Sequence, residues 1–188
     1  MNVEQLIDQL RQDTGFMACV SNWQVLPAQA ARHAQWPGAV PEKVRSALAH
    51  KGITRPYTHQ AQAIELALRR EDLCVVTPTA SGKTLCYNVP ILSQILENDD
   101  ARALYLFPTK ALSQDQVAEL YELITLMDVD IKTYTYDGDT PASARKAIRQ
   151  AGHVVVTNPD MLHSNILPHH TKWVKLFENL RFIVIDEI

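Results

Sequence analysis

At 188 residues, with 46% hydrophobic and 21% charged side chains, the chain has room for one sizeable core and the balance of an ordinary globular domain. A net charge of −3 offers no global field to a polyanion, so any nucleic-acid contact is left to a local groove. No apolar run approaches the roughly 18 residues of a membrane span, no leader sequence opens the chain, and Cys19, Cys74 and Cys86 lack the spacing of a disulfide framework or zinc site; a cytoplasmic location is expected, with no membrane partner.

Val3, Leu6, Ile7 and Leu10 share one helical face over residues 3–10. From Thr14 to Val40 the pattern turns irregular, with Pro27, Pro37, Gly38 and two tryptophans, Trp23 and Trp36, that could anchor an extension onto a domain. Pro41 to Lys51 predicts a helix with Val44, Ala47 and Leu48 on one face and Gly52 placed to end it. Residues 1–52 are therefore an expected N-terminal extension and 53–188 the expected domain. Another helix is predicted from Thr58 to Arg69, where Ala61, Ile64 and Leu68 share a side.

From Leu73 onward strands and helices alternate. Candidate strands are 73–77, 103–107, 131–135, 153–157 and 181–186, with helical patterns at 82–97, 110–127, 141–150 and 158–166. Near-continuously apolar strands in such an alternation predict an α/β fold, a parallel sheet covered by helices on both faces. Asp137-Gly138-Asp139-Thr140-Pro141 reads as the loop entering one of those helices. Trp173 and Phe177, at i and i+4, read as helix-to-core contacts, and His163, His169 and His170 as solvated loop residues with no companion metal ligands.

Thr77-Pro78-Thr79-Ala80-Ser81-Gly82-Lys83-Thr84 lies between a β-rich run and a helical pattern, the context of a phosphate-binding loop. Successive backbone N–H groups at a helix N-terminus converge on phosphate oxygens, here from Thr79 to Thr84, and Gly82 permits the close approach. Lys83 would reach the β- and γ-phosphates, and the Thr84 hydroxyl would ligate Mg2+. Thr77 stands where the general pattern has Gly, and a Gly-Lys-Thr tripeptide also occurs on ordinary exposed helix starts. The flanking pattern and a second motif favour the phosphate reading. That motif is the final strand, ending Asp186-Glu187: Asp186 would hold Mg2+, through water, and Glu187 would orient and deprotonate an attacking water. A strand-terminal Asp can also merely cap the next turn.

Five ordered motifs, Tyr57-Thr58-His59-Gln60, TPTASGKT, Pro108-Thr109-Lys110-Ala111-Leu112, Thr157-Asn158-Pro159-Asp160-Met161-Leu162-His163 and VIDEI, together resemble the first RecA-like core of superfamily 2 DEAD/DEAH-box helicases. The combination of THQ, TASGKTLCYN and TNPDMLH is most similar to the mitomycin repair factor A-type branch, over about residues 20–188. The resemblance implies ATP and Mg2+ as cofactors, single-stranded or duplex nucleic acid as partner, DNA rather than RNA, and a DNA-repair setting. It implies that Gln60 recognises adenine through a bidentate carboxamide contact; on the residues alone Gln60 could equally be an exposed helix glutamine. It also implies strand contacts from Thr109 and Lys110, from Gly138 and its neighbours, and from Thr157 and Asn158. Each could equally be a loop residue, and Asp160 could satisfy the helix amides that Asn158 would otherwise aim at a phosphate.

In this family two RecA-like cores enclose the nucleotide, and the second supplies an arginine to the transition state. The resemblance therefore implies a missing second domain, a core incomplete at its C-terminus and a parent protein that couples ATP hydrolysis to translocation or unwinding. Alone, the 188-residue chain is expected to bind ATP weakly and to unwind nothing. A non-catalytic nucleotide-binding module and a decayed remnant are the alternatives. Stabilisation by nucleotide without turnover would mark the first, and the lack of a cooperative transition the second.

Overall fold

The computed structural model describes residues 2–27, 30–78 and 81–186. They fall into two units that divide between Ala31 and Arg32. In the first, helix α1 (Val3–Gln12) starts with a reciprocal cap: Gln5 N donates to Asn2 Oδ1 at 2.9 Å and Asn2 N to Gln5 Oε1 at 3.1 Å. A short helix, α2 (Thr14–Ala18), replaces the irregular start expected at Thr14, because Asp13 caps it through Phe16 N at 2.9 Å. The Arg11 guanidinium lies 5.0 Å above the Trp23 ring, so that tryptophan is engaged within this unit.

The second unit contains α3 (Glu42–His50), α4 (Thr58–Leu68), α5 (Lys83–Glu97), β1 (Arg102–Leu106), α6 (Lys110–Met127), β2 (Thr133–Thr135), α7 (Ala142–Ala151), β3 (Val154–Thr157), α8 (Pro159–Met161), α9 (Val174–Glu178) and β4 (Leu180–Ile185). Between α8 and α9 run a π-helical turn, Leu162–Ile166, and a 3-10 stretch, Leu167–Lys172. Pro41 starts α3 in extended conformation, and Gly52, at φ 82°, follows its end.

The strands form a parallel sheet in the order β2-β3-β1-β4. Period-2 alternation sends Ala103, Tyr105, Val154 and Val156 to one face, where Val44 and Leu48 of α3, Val89 and Leu92 of α5 and Leu120 and Ile124 of α6 complete a core. Leu104, Leu106 and Val155 point the other way, onto Ile148, Ile166, Trp173 and Leu176. Trp173 is buried and Phe177 packs beside it, the core role expected of both. Trp36 packs against the first cluster and its indole N–H donates to Thr54 O at 3.0 Å. This is the α/β fold expected, a RecA-like core with helices on both faces of a parallel sheet. No helix among the described residues is long and apolar enough to cross a membrane.

The expected strand at 73–77 is not formed. Residues 71–78 make no ladder bonds, since among the described strands none lies beside them. Apolar composition makes a strand possible, but only a neighbour's N–H and C=O groups make it one. This segment and β4 instead both line a cleft of about 1240 Å3. Along β4 Ile183 and Ile185 remain 58% and 53% exposed, while Phe182 and Val184 pack on the first core.

Candidate nucleotide and nucleic-acid sites

The carboxyl ends of parallel strands are where open α/β sheets place ligands, because the loops leaving them run into helix N-termini. Here the loops after β1, β2, β3 and β4 carry the residues from Pro108 to Lys110, from Asp137 to Pro141, Asn158 and Asp186. Residues 71–78 lead to α5, and the cleft beside them is lined by Gln60, Ser81, Gly82, Lys83, Thr84 and Asp186. Thr79, Ala80 and Glu187 lie outside the described residues.

Gly82 precedes α5 in the left-handed region, at φ 73° and ψ 35°. A Cβ on it would stand 2.5 Å from Gln60 Nε2, so both the backbone and the space require glycine. Gln60 is buried and clamps the loop: its Nε2 donates to Gly82 O at 2.9 Å, and its Oε1 accepts from Tyr57 N at 2.8 Å. A carboxamide has two N–H groups and two acceptor lone pairs, so each of these bonds leaves one of a kind for another contact. The His59 ring nitrogen Nε2 lies 3.1 Å from Ser81 O, a second tie from α4 to the loop. Thr77 Oγ1 and Ser81 Oγ are 2.6 Å apart.

Lys83 Nζ points back over the loop, 3.2 Å from Thr77 O and 3.5 Å from Pro78 O. Two neutral carbonyls do not neutralise an ammonium, and an anionic oxygen in the loop would be a stronger acceptor. Thr84 Oγ1 donates to Gln116 Oε1 of α6 at 3.1 Å. Tyr87 OH donates to the same oxygen at 3.0 Å. Burial raises the Tyr87 pKa well above its ordinary value, and the Asp186 and Glu119 carboxylates add to the rise. Asp186 is half-buried at the end of β4, with its backbone N–H on Leu106 O at 3.1 Å. The loop thus offers helix-start amides, a lysine and a hydroxyl, with the Asp186 carboxylate lining the same cleft: a donor set suited to a polyphosphate and a hard divalent cation.

On the adjoining surface Thr109 caps α6, its Oγ1 accepting from Leu112 N at 3.3 Å. Lys110, the first residue of that helix, is ion-paired with Asp139 of the loop after β2. The pair raises the Lys110 pKa and lowers that of Asp139. Asp139 is held by a local turn in which its N–H donates to Asp137 Oδ1 at 3.0 Å. Gly138 has open space where a Cβ would stand, so no steric demand explains the glycine. Asn158 caps α8 through Met161 N at 2.8 Å, and it is this side chain, not Asp160, that makes the cap. Thr157 differs from the sequence expectation in orientation: its side chain is buried and its hydroxyl donates to Tyr136 O at 2.7 Å. It braces the end of β3, one residue before Asn158.

Several contacts escaped the sequence reading. Gln116 acts on Thr84 from 32 residues away, and no local pattern marks it; His59 and Asp139 stood in motifs read from the sequence, but their pairings with Ser81 and Lys110, 22 and 29 residues away, did not show there. Tyr57 was visible only as a motif letter; in the fold its ring stacks with those of His33 and His59, at centroid distances of 5.0 and 5.8 Å.

The sequence matches the family described as DEAD/DEAH box helicase over residues 57–188. It is 55% identical over 169 residues to the uncharacterized ATP-dependent helicase YprA of Bacillus subtilis, covering 90% of this chain and 23% of that protein. To the ATP-dependent helicase hrq1 of Schizosaccharomyces pombe it is 34% identical over 191 residues, covering 99% of this chain and 18% of the relative. The chain therefore spans about a quarter or less of these curated relatives. Among solved structures, the DUF1998 helicase MrfA bound to DNA and AMPPNP superposes with a TM-score of 0.91 at 51% identity, covering 100% of this chain and 26% of that one. The DEAD-box helicase Mss116 bound to ssRNA and UDP-BeF, at 20% identity and a TM-score of 0.64, shares the fold. The chain belongs to the DEAD/DEAH box helicase family.

Proposed function

We propose that this chain is the ATP-binding part of an ATP-dependent nucleic-acid helicase, with DNA as the preferred polymer and residues 53–188 as its first RecA-like domain. Residues 1–52 are an extension, the latter part of which, through Val40, Val44 and Leu48, joins the core of the domain. The observation that carries the reading is the single cleft in which Gln60, Gly82, Lys83, Thr84 and Asp186 meet. The 55% identity to a protein named an ATP-dependent helicase supports it, as does the likeness to a helicase structure holding both DNA and a nucleotide analogue.

The amides from Thr79 to Thr84 bind phosphate oxygens, and Lys83 turns its ammonium from the Thr77 and Pro78 carbonyls to them. Gln60 reads the adenine edge with its spare N–H and lone pair while holding Gly82 in place. Thr84 and Asp186 would hold Mg2+, which would supply charge stabilisation to the phosphates, and Glu187 would take the proton of an attacking water. Mg·ATP, when bound, supplies the phosphoanhydride whose cleavage drives strand movement. A second RecA-like domain completes the site in the whole protein. Thr109, Lys110, Gly138 and Asn158 follow the backbone of one strand, with Thr157 bracing the end of β3 before Asn158. The setting proposed is cytoplasmic DNA repair.

Nucleic-acid-stimulated ATP hydrolysis by the whole protein tests this. Lys83→Ala and Glu187→Gln are expected to abolish it, the latter while keeping nucleotide binding. Stimulated turnover that survives both substitutions contradicts the reading.

A further inference from the structure

The nucleotide site borrows a residue from an element otherwise given to nucleic acid. Helix α6 begins at the strand-binding surface with Thr109 and Lys110, and six residues later, about 9 Å along its axis, Gln116 reaches the first turn of α5. There one amide oxygen receives two hydroxyls, Thr84 Oγ1 at 3.1 Å and Tyr87 OH at 3.0 Å. Glu119, one turn further along α6, and Asp186 at the end of β4 line the same cleft as Thr84, Tyr87 and Gln116.

A threonine hydroxyl has one proton and two lone pairs. To ligate a cation it must turn a lone pair toward the metal and send its proton elsewhere. An amide oxygen can take that proton, and a partner that fixes a ligand's orientation commonly governs metal affinity as strongly as a ligand does. We propose that Gln116 is a positioning residue: its Oε1 accepts the Thr84 proton and aims the Thr84 lone pairs at the divalent cation that arrives with the nucleotide. Tyr87 OH donates to the same oxygen, so both hydroxyls share one acceptor. The inference rests on Thr84 being the cation ligand of the function proposed above.

The test is binding of a fluorescent ATP analogue by the whole protein, titrated with Mg2+ and repeated in EDTA. Gln116→Met removes the acceptor at nearly constant volume. It is expected to raise the Mg2+ concentration at half-maximal binding about 10-fold, the low end for loss of such a partner, and to leave binding in EDTA unchanged. Gln116→Glu, which can only accept, is expected to stay within about 3-fold of the unaltered protein; Gln116→Met in a Thr84→Ala background is expected to add nothing. If Gln116→Met does not fold, Gln116→Glu decides: an unchanged Mg2+ midpoint supports the role, and a 10-fold rise overturns it. An unchanged midpoint in a folded Gln116→Met protein, while Lys83→Ala abolishes binding, overturns the inference and leaves the proposed function standing. Binding that survives Lys83→Ala removes both.

Discussion

The two ends of the parallel sheet are both rich in polar side chains, yet they treat them differently. At the amino end, Arg102 is buried and donates to Asp99 O at 2.7 Å and to Ala101 O at 2.9 Å. Beside it His153 Nδ1 accepts from Lys132 N at 3.0 Å, and its Nε2 lies 3.2 Å from Asp99 Oδ1. Those bonds close the strand starts and satisfy buried groups, as burial of polar atoms demands. At the carboxyl end Lys83 rests on neutral carbonyls, Lys110 on one exposed carboxylate, and Gln60 keeps unused bonding capacity. At the amino end Arg102 and His153 complete the fold, although the Thr133 hydroxyl at the start of β2 is buried without a hydrogen-bond partner; at the carboxyl end Lys83, Lys110 and Gln60 keep capacity for a ligand.

The largest effect should come from breaking the carboxyl end at Gly82. Gly82→Ala must place a Cβ at φ 73° and 2.5 Å from Gln60 Nε2, and a strained left-handed residue costs about 1–3 kcal/mol. Because Gln60 must move, nucleotide binding should be lost, whereas Gly138→Ala, with open space at its Cβ, should leave binding intact. Calorimetric titration with Mg·ATP analogue separates the two.

At the amino end the expected effect is one of pH. Burial, and then the Arg102 charge, lower the His153 pKa, while Asp99 pulls it the other way. The folded state thus prefers neutral imidazole, and the unfolded chain takes up its proton first as pH falls. Stability from this site is full above about pH 6.5 and declines as the pH drops below that toward the lower folded value. Urea midpoints measured at pH 7.5 and 5.5 should fall between the two. His153→Asn, which can keep an acceptor near Lys132 N, should flatten the decline, and Asp99→Asn should steepen it.

Smaller effects should appear on the proposed nucleic-acid surface. Lys110→Ala is expected to weaken strand binding across all sequences and reduce the salt slope by about 1. Asp139→Asn, which frees Lys110 from its exposed partner, is expected to tighten binding by a few-fold at most. Fluorescence anisotropy over a salt series reads both; a slope unchanged by Lys110→Ala would detach that residue from the surface.

The smallest is a difference between thiols. Burial pushes Cys86 up to about 11, whereas Cys19 and Cys74 are exposed. Iodoacetamide at pH 8 should label the latter two and spare Cys86, and Mg·ATP should slow labelling of Cys74, which lines the cleft, but not of Cys19. Mass-spectrometric mapping of the modified peptides checks it.

Much of the carboxyl end was legible because its signals are local. Gly82-Lys83-Thr84 at a helix start and Asp186-Glu187 after an apolar run are contiguous in sequence, and alternation alone predicted the parallel sheet. What stayed hidden depends on partners far along the chain. The apolar run 73–77 looked like a strand, but a strand exists only beside another. Thr157 looked like a contact residue, but strand alternation and the Tyr136 carbonyl bury its hydroxyl. Gln116 carried no signal at all, since only the fold brings it, 32 residues along the chain, to Thr84.

The most direct test of the central claim, that the cleft beside α5 is a nucleotide site, is the thermal midpoint with and without Mg·ATP, in the unaltered protein and in Lys83→Ala. At 100-fold excess over Kd a ligand adds about 2.7 kcal/mol, roughly 5–11 °C for a domain of this size. The account predicts that rise in the unaltered protein and none in Lys83→Ala. No rise in either, or an equal rise in both, would contradict it.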